Sequence, residues 1–459
     1  MFADRTRKKR SAFSKQWEAR ARGLGHPAGD DFTSNIAPMD TLLIWLVLAL
    51  LFIAIGYLHR ARERRSAPGF REVLSAGPLI GAETLADFHR RLLPVLAVAG
   101  YQVRDGSVMF EGNLRTDART ALTEISRAFA GEKFTPLLQE GDGRGRVKIA
   151  LLPGIEELAW PPAGIERPNW AVHFVLFVLT LVTTTWVGAL HAGVNLIQEP
   201  NKFAAGLPYS LGLILILGAH ELGHYLTARR HRIRVTPPYF IPVPFGLGTF
   251  GAFIKLKSFA PDRRASFDVA IAGPLAGLVF AIPALIIGLR HSHLIAGSAT
   301  PDILHTGVQV GSSFLLAILT KLTLGATVLE GQQLILHPLA FAGWLGLVVT
   351  ALNLMPIGQL DGGHMAHAMF GPRRGHAIGV GALITLFALA LFVWPGLMFW
   401  AWIVWFIAGT RDVPPLEDVT PLDKHRRALG WFAFVLLAAI LIPVPHALSA
   451  AFGIHCPYL

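Results

Sequence analysis

The stretch LPYSLGLILILGAHELGHYL at 207–226 decides how the chain is read. It is almost wholly apolar and long enough to form a membrane helix, yet His220, Glu221 and His224 interrupt it near its C-terminal end. Residues four apart share one face of a helix, so both imidazoles can reach a single zinc ion. Glu221, between them, is then left beside the metal-bound water as a general base. A glutamate flanked by two histidines inside a lipid-grade segment is costly without partners. That cost favours a functional site over a polar tie between helices.

The rest of the chain supports a membrane setting. Of 459 residues, 53% are hydrophobic and only 15% are charged, which indicates a polytopic membrane protein rather than one large soluble core. The formal net charge of +11 raises nucleic acid as a partner. The basic residues instead cluster in short loops beside apolar runs, as the positive-inside rule requires, so no nucleic-acid partner is expected. Cys456 is the only cysteine, which leaves histidine and carboxylate as the ligands for any metal.

About eight spans are expected, at 41–58, 170–193, 207–228, 266–289, 337–352, 377–394, 396–409 and 429–452. The sixth and seventh meet at Pro395-Gly396 as a tight helical hairpin. The segment 303–330, with Lys321 and Glu330, reads as re-entrant or interfacial. The connection 229–265 carries Arg229, Arg230, Arg232, Arg234, Lys255, Lys257, Arg263 and Arg264, whereas 291–336 holds only Lys321. That asymmetry puts 229–265 in the cytoplasm. Parity then puts 59–169 in the cytoplasm as well, with the first forty residues outside. The basic arm 1–38 sits awkwardly there. Met39 is an alternative start, tested by sequencing the mature N-terminus, and a transit peptide is a further reading of the arm.

The expected domains are the arm 1–38, a transmembrane helix 39–58, a soluble α+β domain 59–168, a core 169–410, and a cytoplasmic linker with a last transmembrane helix at 411–459. In the soluble domain, 85–99 has helical periodicity and 108–113 alternates as a strand. Residues 116–130 read as an amphipathic helix begun by a Thr or Asp cap, and 134–139 and 147–152 as strands joined by Gly-Asp-Gly-Arg-Gly. It shows no catalytic constellation, so gating or binding a regulatory partner is its expected role. Residues 236–258 are too rich in Pro and Gly to continue a helix. They end in an alternating Phe253-Ile254-Lys255-Leu256-Lys257, which reads as a short membrane-associated β segment able to offer a strand edge to a substrate. An ordinary cytoplasmic loop is the competing reading.

Two histidines do not complete a catalytic zinc site. The best third ligand is Asp361, in NLMPIGQLDGG at 353–363. An even number of spans separates it from the HELGH helix, so both fall near the cytoplasmic end of their segments, and Pro356 and Gly358 break the helix so that Asp361 can turn inward. A helix cap is the plainer reading of Asp361. Expected roles are zinc binding by His220, His224 and Asp361, proton transfer by Glu221, and a hydrogen bond from Asn353 to the substrate backbone or oxyanion. Simple helix packing would also explain Asn353. His364 and His367 are expected to support the site or face solvent rather than bind metal. GPLAG at 273–277 places glycines four apart, which permits close helix approach.

Together these residues resemble the site-2 protease family of intramembrane zinc metalloproteases, over roughly 200–375, with HELGH, GPLAG and NLMPIGQLDGG in that family's order. The resemblance implies that His220, His224 and Asp361 bind zinc, that Glu221 is catalytic, and that the substrates are membrane-spanning proteins cut to release regulators. GNLR at 112–115 is similar to the branch of the ethylene-dependent gravitropism-deficient and yellow-green proteins. Neither a PDZ-like insertion nor a C-terminal CBS pair is visible, which argues against two other branches. The excess of Arg over Lys, 31 to 10, and the richness in Ala and Gly point to a GC-rich bacterium, so the expected location is a bacterial inner membrane. The rival reading is a divalent-metal transporter, which needs ligands spread along a path and often repeated halves. Here they converge and no repeat is visible.

Overall fold

A computed structural model describes residues 81–153 (apart from 105–106, 131–133, 142 and 144), 168–296, 313–324, 332–392 and 397–442. The arm 1–38, the expected first span and the end of the last one lie outside the described residues. All described residues belong to one compact unit, Val73–Leu459.

The soluble part is α+β. Helix α1 (Ala82–Leu92) leads into β1 (Leu96–Arg104), β2 (Ser107–Leu114), α2 (Ala118–Ala128), β3 (Phe134–Glu140) and β4 (Arg146–Pro153). Asp117 caps α2, its side chain accepting from the Thr120 N–H, which satisfies a donor the first turn would otherwise leave unpaired. The helices bury Phe88, Leu92 and Ile125 against Phe110, Leu138 and Ile149 of the sheet. The periodicity at 85–99 overstates the first helix. Pro94 has no N–H to extend the ladder, so α1 ends at Leu92 and a strand begins at Leu96.

That sheet has a fifth strand that the sequence does not announce. Its order is β1-β2-β4-β3-β9, where β9 is Glu417–Asp418. The pairing is parallel, Leu138 with Glu417 and Gln139 with Asp418. The segment after 411, expected as a linker, is therefore stitched into the soluble domain.

The bundle comprises α3 (Trp170–His191), α4 (Leu207–Arg230), α5 (Arg263–Arg290), α6 (Phe314–Leu324), α7 (Pro338–Leu354), α8 (Asp361–Phe370), α9 (Pro372–Phe392), α10 (Leu397–Ala408) and α11 (Lys424–Leu441). Among the described residues, four helices are long and apolar enough to cross a membrane: α3, α4 with the 3₁₀ turn before it, α5 and α9. The count of eight is thus not reproduced. Helices α7 and α10 are 17 and 12 residues long, and α6 within 303–330 has only 11. Between α5 and α7, β7 (His293–Ala296) pairs with β8 (Gln332–Ile335). The core of the bundle joins α5, α7 and α8 through Ile271, Leu278, Leu285, Leu347, Ala351, Leu354 and Met365. At one end, Arg426 clamps Asp268 with two bonds of 2.6 and 2.7 Å, and His231 meets the same carboxylate at 3.0 Å, tying α4, α5 and α11 together.

The Pro/Gly-rich segment folds as a hairpin, β5 (Tyr239–Pro242) with β6 (Thr249–Phe253). The strand ends where the alternating pattern was expected to begin. Pro237 and Pro238 offer no N–H, so the ladder breaks off beyond Tyr239↔Phe253 and resumes as a single bridge, Val235↔Leu256. Helices α3 and α4 hold the hairpin by its backbone carbonyls: Thr183 Oγ1 donates to Gly248 O (2.7 Å) and Tyr209 OH to Leu247 O (2.8 Å).

Candidate metal centre

His220 and His224 lie one turn apart on α4 and face its packed side, each less than a tenth exposed. Their Nε2 atoms are 3.1 Å apart. Asp361, more than 130 residues later, arrives as the first residue of α8, with Oδ2 3.5 Å from His220 Nε2 and 3.3 Å from His224 Nε2. One ligand atom from each residue lies within 4.8 Å of the others. Among the described residues these three are the group able to hold a metal.

Local sequence explains the convergence. Helix α7 stops at Leu354, before Pro356, and the turn through Gly358 (φ 49°) delivers Asp361 to the start of α8. Asp361 does not cap that helix, since Leu360 occupies the cap. Gly362 is required by contact: a Cβ there would lie 2.5 Å or less from the carbonyl oxygens of Leu354 and Met355. GPLAG works in the same way across α5, for a Cβ at Gly273 would fall within 2.5 Å of the His224 ring. His224 therefore rests directly on the α5 backbone.

That contact also sets the ring's chemistry. His224 Nδ1 is 2.7 Å from the carbonyl oxygen of Val269. A carbonyl only accepts, so Nδ1 carries the proton and Nε2 presents its lone pair toward His220 and Asp361. Asn353 Nδ2 is 3.3 Å from His220 Nε2, which puts the amide at the rim of the cluster. Glu221 is buried and lies against the backbone N–H of Ile254, next to the end of β6. The hairpin thus touches the glutamate between the two histidines. Two imidazoles and one carboxylate, converging in a dry site, fit the donor set and count of a catalytic zinc centre with one position left open.

Neither Val269 nor Ile254 carries a sequence signal, because each acts through its backbone. His364 and His367 do not join the cluster. His364 Nδ1 lies 2.5 Å from Asp412, and His367 sits between Asp412 (3.0 Å) and Asp418 (2.9 Å). Both are held by carboxylates, His367 buried and His364 partly exposed.

Paired histidines on one apolar helix, a glutamate between them and a distal aspartate define the zinc metallopeptidase class, here within an integral membrane bundle. The model of "Peptidase family M50" matches residues 208–393. The protein named "Probable zinc metalloprotease EGY1, chloroplastic" of Arabidopsis thaliana is 30% identical over 380 residues, 76% of this chain and 68% of that protein. Its "EGY2" counterpart in the same plant is 28% identical over 358 residues, 77% of this chain and 63% of the relative. A rice protein named "Probable zinc metalloprotease EGY3, chloroplastic" is 31% identical over 257 residues, 52% of this chain and 42% of its own length. No solved structure matches. The chain belongs to peptidase family M50, the site-2 protease family of zinc metalloproteases, and spans roughly two thirds of the length of EGY1 and EGY2.

Proposed function

We propose that this chain hydrolyses peptide bonds of membrane-spanning proteins within the bilayer, near the cytoplasmic side of a bacterial inner membrane or its topological equivalent. The carrying observation is the meeting of His220, His224 and Asp361 at one point, with Glu221 in the same helical turn. On this reading about eight segments cross the membrane, 41–58 and the shorter α7, α10 and α11 among them, and basic residues at 229–265 mark the cytoplasmic face.

His220, His224 and Asp361 would hold zinc, which when bound supplies Lewis acidity for the attacking water and the scissile carbonyl. Glu221 accepts the proton of that water and returns it to the leaving amine. Asn353, beside His220, donates from Nδ2 to the carbonyl oxygen as charge develops on it. A transmembrane helix has its carbonyls already hydrogen-bonded, so the substrate has to unwind before it is cut. The β5–β6 hairpin supports a role in holding it extended, because strand addition supplies the backbone with new partners and β6 ends against Glu221. The soluble domain is the natural seat of a regulatory partner. A metal-transport reading is not retained: the ligands converge at one point instead of marking a path, and the family is one of peptidases.

The test is a trap. The Glu221→Gln protein, expressed in native membranes, should retain zinc and accumulate uncut transmembrane proteins, identified by mass spectrometry after crosslinking. Metal flux that survives the substitution, with no substrate accumulating, would overturn the reading.

A further inference from the structure

A buried chain of charges runs from the soluble domain to the helix that carries Asp361. It begins with Glu140, at the half-exposed end of β3, which accepts from Arg263 Nη2 at 2.7 Å. Arg263 is the first residue of α5, and its Nε donates to Asp418 Oδ1 at 2.6 Å. The second carboxylate oxygen of Asp418 lies 2.9 Å from His367 Nε2. The opposite nitrogen of that ring, Nδ1, lies 3.0 Å from Asp412 Oδ2, and Asp412 Oδ1 is 2.5 Å from His364 Nδ1. The side chains of Arg263, Asp418, His367 and Asp412 are each less than a tenth exposed.

The chemistry of the chain is constrained. His367 Nε2 is hydrogen-bonded to Asp418 and its Nδ1 has the Asp412 carboxylate 3.0 Å away, and two anions beside one ring favour the imidazolium. Charge then alternates along the chain: Glu140 negative, Arg263 positive, Asp418 negative, His367 positive, Asp412 negative. Such a dry chain adds little net stability, since desolvation offsets attraction. Removing one member strands a buried charge, however, so the chain tolerates few arrangements other than this one. Its effect is to fix positions.

What it fixes is α8. His364 and His367 follow Asp361 by three and six residues, about 60° and 120° around the helix, so Asp412 grips α8 across one turn on the flank next to the ligand. Arg263 heads α5, whose Val269 carbonyl orients His224. Asp418 is also one of the two residues through which β9 pairs with β3. A cavity of about 320 Å³ along this seam, bounded by Gln139 and Glu140 on one side and by Gly363 and His367 on the other, gives the two sides room to shift. A zinc site tolerates ligand displacements of only about 0.2 Å.

We propose that Asp412 and Asp418 are positioning residues for Asp361, and that the chain from Glu140 to His364 couples the soluble domain to the metal centre. A partner or ligand that moves β3 would then change the hold on zinc without touching it. This rests on the zinc reading of His220, His224 and Asp361.

The experiment uses the full-length protein in detergent, with zinc alone as the probe. Zinc affinity is measured by chelator competition and backbone mobility of 361–370 by hydrogen exchange. Asp412→Asn and Asp418→Asn should each weaken zinc binding about 10- to 100-fold and speed exchange across 361–370, and Asp418→Glu should restore part of the affinity. Glu140→Gln, at the exposed end and with an amide oxygen still able to accept from Arg263, should show a loss of a few-fold in the same direction. If the Asn variants do not fold, Glu140→Gln and Asp418→Glu decide. Wild-type affinity and exchange in every folded variant would overturn the coupling while leaving the zinc reading intact. Zinc binding left unchanged by His220→Ala would remove both.

Discussion

Replacing Gly273 by alanine adds one methyl group to α5 and should empty the metal site. A Cβ at that position would lie within 2.5 Å of Nε2, Cδ2 and Cε1 of His224, whereas non-bonded contacts settle near 3.5 Å. The ring has to retreat by about 1 Å, several times the ~0.2 Å that a zinc ligand tolerates. Separating the helices offers no escape. In the same stretch a Cβ at Gly223 would be 2.5 Å from the Ala272 carbonyl oxygen, so the two backbones already touch. Nor can the ring swing aside freely, because Nδ1 is held by Val269 O at 2.7 Å.

The overpacking itself costs on the order of 1–3 kcal/mol, which a bundle of this size withstands, so the variant should fold and lose metal. We expect zinc affinity to fall by at least about 100-fold, the upper end of what changes outside the ligand set produce. Chelator competition on purified protein measures this, with size-exclusion chromatography and circular dichroism as folding checks. Gly277→Ala is the internal comparison. There a Cβ would stand 3.3 Å from His220 Cβ and 3.4 Å from Nδ1, a crowding relieved by a few tenths of an ångström, so the loss should stay below about tenfold. A Gly273→Ala protein that binds zinc as tightly as the wild type would refute the claim that α5 seats His224.

Glu221→Gln should keep its zinc and lose cleavage by about 10²- to 10⁴-fold, the range for removing a general acid–base group; loss of zinc with it would instead make Glu221 a ligand. Asn353→Ala should lower turnover about 10²- to 10³-fold, as for loss of an oxyanion donor, with zinc content unchanged, and a variant with normal turnover returns Asn353 to helix packing. A pH dependence follows from His367. Burial disfavours its charged form, but Asp412 and Asp418 outweigh that and raise it to about 9, with Arg263 beyond Asp418 and His364 beyond Asp412 as the other charges facing the cluster. The folded value lies above the ordinary one near 6.5, so this contribution to stability is full below about pH 6.5 and is lost as pH rises towards 9. Thermal unfolding from pH 6 to 9.5, compared with Asp418→Asn, should show a slope in the wild type that flattens in the variant. Equal slopes would exclude the imidazolium.

The sequence made some of this architecture legible for identifiable physical reasons. Helical period alone puts His220 and His224 on one face, and the even number of spans expected before Asp361 places it at their depth, so the grouping that the structure brings together was legible without coordinates. The strand edge at 236–258 was visible as a class of structure, but its register was not. Phe253 to Lys257 alternates well enough for a strand, yet pairing is decided by the donors available on the opposite side, and Pro237-Pro238 removes two of them. The helix expected at 85–99 fails at Pro94 for the same missing N–H.

What stayed hidden shares another cause. The Val269 carbonyl that fixes the tautomer of His224 belongs to the backbone, which is the same in every residue and so writes nothing into the sequence. Glu417–Asp418 is too short to register as a strand, and its partner β3 lies nearly 280 residues earlier, so no local pattern joins them. Asp412 and Asp418 look like ordinary acidic residues of a linker until Arg263 and His367 are seen against them. A metal-binding motif therefore marks the atoms that meet the ion, because their spacing is set by one helix or one turn. The residues that hold those atoms still come from α5, β9 and the soluble domain, and their spacing is set only by the packed fold. This is why the tests that discriminate best lie at Gly273 and Asp418, outside the ligand set: each asks whether zinc affinity is a property of three side chains or of the helices that carry them.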